Sequence, residues 1–226
     1  MPRNFSNGMK DVFLPFKNIH EGRTAVLCGS GPSLAEWRKK YEPDALYFGC
    51  NSVAFFGPPL DYFFIADNLK IQKAENGYFK RKKDYDSYFP RKAKFYGTTI
   101  DGVHQPYLLS SSDAIDGKAM EYGMRRSKKI SFDLSQEPVD NFSSIFVCLQ
   151  LAVWCGCNRI IIVGCDITNN VRIGEKELWM GYKHVRLIER WRFAKAQLLK
   201  RFPNIQIKVF EPLGLKSVFE QISYKK

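Results

Sequence analysis

The residues whose types and spacing could do chemistry are one histidine and a few short polar clusters. His184 opens a long basic stretch, and an imidazole of near-neutral pKa can take a proton from a hydroxyl nucleophile. At a helix start the dipole disfavours imidazolium and keeps such a base neutral, although a surface or capping histidine has the same local pattern. Upstream, Gly29-Ser30-Gly31 follows an apolar run and precedes Pro32, a residue suited to the first helical position. Glycine admits a ligand close to the backbone, and a helix N-terminus offers unpaired N–H groups to an anion. The turn is therefore a candidate phosphate cradle for a nucleotide-type ligand; tight packing alone also produces such turns.

The commonest meanings of a glycine turn do not fit. A dinucleotide fingerprint needs a third glycine and an acidic residue after the second strand, whereas Gly31 leads into Pro32-Ser33-Leu34 and the second strand ends at Cys50-Asn51. The Gly-Lys-Ser/Thr of a phosphate loop and the Gly-x-Ser-x-Gly elbow of a hydrolase are both missing. The six cysteines sit in or beside apolar segments, and Cys155-Gly156-Cys157 lacks zinc-site spacing, so they read as buried thiols in a reducing compartment. No metal site is expected. His20 and His104 have no carboxylate pattern beside them that assigns a role.

Positioning these groups falls to alternating strands and helices. Apolar runs predict strands at 24–29, 45–50, 61–66, 94–98, 159–164 and 205–210, and helical patterns cover 32–40, 142–155 and 184–201. The alternation predicts one α/β domain, residues 1–226 with a core at about 24–220: a Rossmann-like, mainly parallel sheet flanked by helices, with a small lid or excursion around 99–135. Asp140 or Asn141 is expected to cap the buried helix 142–155, with Ser143 and Ser144 in its first turn. On the last helix Leu187, Trp191, Ala194 and Leu198 form an apolar stripe. Ligands of open parallel sheets bind outside the carboxyl ends of the strands, which places Asn51, Asp67-Asn68 and Asp166 on the same rim as the glycine turn. Taken singly, Asn51 and Asn68 suit left-handed turn positions and Asp166 suits a turn cap. The stretch from Ile167 to Met180 is expected to border the site as a loop that closes on substrate.

Charge points to the partner. A net charge of +12 on 226 residues favours an anionic surface or ligand. The segment 78–94 interleaves Lys80-Arg81-Lys82-Lys83 with Tyr78, Phe79, Tyr85, Tyr88 and Phe89, as suits an anionic membrane surface, while no nucleic-acid motif is present. With no apolar run of ~20 residues and no signal-peptide block at Met1-Pro2-Arg3, the expected location is the cytoplasm, extending to the inner face of the membrane. Self-association is left open.

Leu27-Cys28-Gly29-Ser30-Gly31-Pro32-Ser33-Leu34, Cys50-Asn51, Ser143-Ser144, Gly164-Cys165-Asp166 and His184, in this order over about 24–220, together resemble the bacterial sialyltransferases of glycosyltransferase family 42 and the wider group carrying domain of unknown function 115. The resemblance implies an inverting glycosyltransferase that needs neither metal nor cofactor. It would move sugar from a CMP-activated donor to a glycan or glycolipid acceptor, as in lipopolysaccharide biosynthesis. It implies donor contacts from Gly29, Ser30, Gly31, Asn51, Asp67, Asn68, Ser143, Ser144, Asp166 and Thr168, and a general base at His184. The sequence departs from the family at Ser30, where the family has Asn, and at Thr168, where it has Tyr. Tyr182, Lys183 or Arg186 would then stabilise the leaving phosphate. Two other readings stand beside it: a magnesium-dependent pyrophosphokinase of the 6-hydroxymethylpterin type with Asp67 and Asp166 as ligands, and a non-catalytic basic module binding nucleotide or nucleic acid.

Overall fold

A computed structural model of the chain describes residues 12–37, 40, 42–51, 53–65, 90–99, 119–125, 130–140, 142–167, 183–210 and 214–222. Nine strands appear among them: β1 Thr24–Cys28, β2 Leu46–Cys50, β3 Tyr62–Ile65, β4 Ala93–Thr99, β5 Ala119–Arg125, β6 Val139–Asp140, β7 Arg159–Val163, β8 Gln206–Phe210 and β9 Glu220–Ile222. Every pairing is parallel, in the order β6-β5-β4-β3-β2-β1-β7-β8-β9. The helices are α1 Ser33–Trp37, α2 Val53–Phe56, α3 Ser144–Trp154 and α4 Lys183–Arg201, with one 3-10 turn at Leu14–Phe16. This is the Rossmann-like α/β arrangement that the alternation predicts.

Burial follows from the strand period. Ala25 and Leu27, Leu46 and Phe48, Tyr62 and Phe64, and Ile160 and Ile162 face one core, while Val26, Tyr47, Phe63 and Val163 face the other. A parallel sheet covered on both faces needs such continuous apolar strands, which explains why these were legible. α3 crosses the first face, and its ten residues from Ile145 to Trp154 are all buried. α4 packs there through the expected stripe, with Trp191 stacked on Phe146 at 4.4 Å between ring centres. Trp37 of α1 meets Phe210 on the second face.

Three strands differ from expectation. β5 lies inside the stretch read as an excursion and pairs with β4 from Lys94↔Ala119 to Thr99↔Met124. Its sequence, Ala-Met-Glu-Tyr-Gly-Met-Arg, is neither a continuous apolar run nor a clean alternation, because it lies towards the sheet edge. β6 and β9, of two and three residues, are too short to leave a periodic signal. Residues 100–118 and 126–129 of that stretch, and the segment 78–89, lie outside the described residues, while Ile130 and Leu134 are buried in the core.

At the opposite edge from the strand ends, His20 and Tyr62 form a buried pair 2.6 Å apart, with the phenol held between Phe48 and Phe16. Burial lowers the His20 pKa from 6.5, assisted by the cations Lys92 and Arg23 and opposed by Asp61, which favours the neutral ring beside the Tyr62 hydroxyl. The unfolded chain therefore takes up this proton first as pH falls. Unfolding free energy should hold steady above about pH 6.5 and decline below it, until the folded-state pKa is passed. Urea midpoints measured between about pH 7.5 and 5.5 test this; His20→Gln should flatten the slope in that window.

Candidate functional site

The strand order reverses between β1 and β7, the switch point where an open parallel sheet leaves a crevice at its carboxyl edge. Here the two chains continue in contact past the ends of their strands. The Gly29 N–H donates to Val163 O at 2.8 Å and the Gly31 N–H to Gly164 O at 2.7 Å. A Cβ on Gly29 would strike Gly164 O, and one on Gly31 would strike Asp166 Oδ2 and Gly164 O. Gly164 itself has φ +63°, with its own Cβ position blocked by Gly29 O.

A side-chain clasp closes this contact. Asp166 Oδ2 accepts from the Ser33 N–H at 3.2 Å and from the Ser33 hydroxyl at 3.1 Å, while Ser33 Oγ accepts from the Gly164 N–H at 3.0 Å. The Asp166 carboxylate thus caps α1, where the sequence placed a phosphate. The Gly29 and Gly31 N–H groups and the α1 start are directed to β7. Asp166 thus reaches across the sheet to the start of α1. Among the described residues, no partner faces the Ser30 N–H.

A second helix start lies on the same edge. α3 runs from the strand ends, where Asn51 meets Ser144, to the opposite edge, where Trp154 O and Cys155 O accept from Asn18 and His20 N–H. Asn51 sits at φ +51° with its N–H on Phe64 O of β3 at 2.9 Å, and its side-chain amide donates to Ser144 Oγ at 3.1 Å. Ser143 occupies the cap position in an extended conformation, but its hydroxyl makes no capping bond. The expectation of Asp140 as the cap fails because that carboxylate, fully buried at the end of β6, pairs with Arg190 at 2.9 Å; Asn141 lies outside the described residues.

The pair fastens α4 to the β6–α3 junction, and Gln150 completes the fastening. Its Oε1 accepts from the Ser131 and Asp140 N–H groups, and its Nε2 donates to Asp140 O and Phe146 O. Sequence reasoning passed over Gln150, Ser33 and Arg190; a polar residue inside an otherwise apolar helix was the available signal for the first. Lys183 and His184 fall in the first turn of α4, and Arg186 is exposed on it. Asp67, Asn68, Thr168 and Tyr182 lie outside the described residues. The structure therefore brings Gly29, Ser30, Gly31 and Asp166 together at one strand junction, and pairs Asn51 with Ser144.

Cysteine thiols line the base of the edge. Burial pushes the Cys165 thiol up to about 12 and raises those of Cys28 and Cys148 as well, so these thiols stay protonated and unreactive. All six cysteines are free.

No family model matches the sequence, and no curated protein does. Among solved structures, the MAf glycosyltransferase from Magnetospirillum magneticum AMB-1 superimposes with a TM-score of 0.46 at 11% identity. The likeness covers 91% of this chain and 37% of that protein, so this chain spans well under half its length. A superposition at this level bears on neither activity nor substrate.

The clasp makes opposite demands on adjacent positions. Gly31→Ala should destabilise the fold by about 2 kcal/mol through overpacking against Asp166 and Gly164, whereas Ser30→Ala should leave stability within about 0.5 kcal/mol. Denaturant unfolding of both variants checks the contrast.

Proposed function

We propose that the protein is a glycosyltransferase that moves a sugar from a CMP-activated donor to a hydroxyl of a glycan or glycolipid acceptor. The observation that carries this reading is the start of α3: an 11-residue helix whose cap residue, Ser143, makes no side-chain capping bond, at the switch-point edge, with Ser144 held by Asn51. The Ser144 and Ile145 N–H groups at the positive end of the helix dipole suit an anionic ligand, while the Phe146 N–H is taken by Ser143 O at 2.8 Å and the α1 start by Asp166. The donor phosphate or carboxylate is therefore assigned to Ser143 and Ser144, and Asn51 and Ser30 flank the nucleotide. The order of these motifs, resembling the family 42 sialyltransferases, supports the choice of a CMP-sugar.

In this mechanism His184 takes the proton of the acceptor hydroxyl as its oxygen attacks the anomeric carbon. The sugar–phosphate bond breaks on the opposite face, and CMP leaves with the bonding pair. Configuration inverts in this single displacement, without need of a metal. The role of Tyr182, Lys183 and Arg186 is to offset charge on the departing phosphate, as is that of the helix start. Asp67, Asn68 and Thr168 are assigned to the donor sugar and ribose on the same reading.

Binding and chemistry separate experimentally. CMP at about a hundredfold excess over its Kd should add ~2.7 kcal/mol and raise the Tm by roughly 5–10 °C. UDP, GDP and ATP should do less, and Ser144→Ala should reduce the CMP shift. His184→Ala should keep that shift and lower kcat by about 10²–10⁴-fold. A shift with ATP and magnesium but not with CMP selects phosphoryl transfer instead.

A further inference from the structure

All the large apolar side chains exposed among the described residues come from the layer over one sheet face. They are Leu14, Ile19, Phe142, Val185, Phe193 and Leu199, between 37% and 53% exposed. Three of the six are on α4. Its buried stripe, Trp191, Ala194 and Leu198, occupies one side of the helix; Val185, Arg186, Glu189, Arg192, Phe193 and Lys200 are exposed on the other. The 19 residues of α4 carry seven Lys or Arg and one acid, Glu189. Apolar and cationic side chains thus alternate along an outward face about 28 Å long.

We propose that this outward face of α4 docks on an anionic lipid bilayer. Phe193, Val185 and Leu199 enter the headgroup boundary, while the exposed Arg192 and Lys200 keep their stems along the apolar zone and their charges among lipid phosphates. The Arg190 guanidinium carbon lies over the Phe142 ring at 4.7 Å and over the Phe193 ring at 5.8 Å from the ring centres, so cation and ring are already side by side at the edge of this face. Charge selects this occupant over a second copy of the chain, because a two-fold contact would set a basic face against itself with Glu189 as the acid available on the helix. A nucleic acid would satisfy the cations and leave the apolar side chains without a partner. No described helix is long and apolar enough to cross a membrane, so the contact runs along the surface. The proposal does not rest on the transfer chemistry: it is read by binding alone, and a chain without transferase activity would still show it.

The full chain should co-sediment with vesicles containing about 30% phosphatidylglycerol in phosphatidylcholine and not with pure phosphatidylcholine. Val185→Asp/Phe193→Asp should lower the partition coefficient at least tenfold. Arg159→Asp, exposed at the start of β7, changes the net charge by the same two units and should lower it less than threefold. Both positions are exposed, and a matching far-UV spectrum and Tm confirm that the double variant folds. Failure of the wild-type chain to bind anionic vesicles, or equal losses in the two variants, overturns the proposal. So does a concentration-dependent dimer dispersed by Phe193→Asp, or binding to an oligonucleotide in place of vesicles.

Discussion

The carboxylate of Asp166 on the start of α1 is the constraint from which the rest of the carboxyl edge follows. Residues 133 positions apart are joined by it, and it holds the ends of β1 and β7 in contact where an open sheet would otherwise part. Two consequences result. The backbone of Gly29, Gly31 and Gly164 must come together with no Cβ between, which accounts for glycine at each of the three positions. The helix dipole of α1 is also neutralised from within, so an incoming anion must look elsewhere along the edge.

On the proposed reading, that displacement makes α3 the element on which ligand recognition turns. Its apolar surface is buried around the whole circumference, which fixes its axis, while Gln150 and the Asp140–Arg190 pair fix the chain that leads into it. The same pair ties down α4, the helix that begins with Lys183-His184. Removing one partner of such a pair leaves a buried charge uncompensated, so α3 and α4 are coupled through a contact that neither the core nor the sheet supplies. α4 in turn has a second, outward face of different character, where exposed apolar groups lie among cations.

The central strands could be read from sequence because burial on both faces leaves continuous runs such as Ile160-Ile161-Ile162-Val163. β5, next to the edge, and the edge strands β6 and β9 left no such pattern. The convergence of Asn51, Asp166 and the glycine turn followed from topology, since strand ends share an edge. What spacing could not tell was the occupant of the glycine turn: a ligand and a second backbone require the same absence of Cβ. Ser33 stood in the glycine-turn motif without a role, because its partner lies 133 residues on and no local rule connects them. In the same way Asp140 had the chemistry of a helix cap, and a distant arginine claimed it.

The central claim is that the switch-point edge binds the nucleotide with α3 as its anion site. Amide hydrogen exchange with and without saturating CMP tests this most directly. The account predicts slowed exchange at residues 143–146, with smaller effects at Ser30 and Asn51 and none at the His20–Tyr62 edge. Protection confined to other segments, or no protection at residues 143–146, would contradict it.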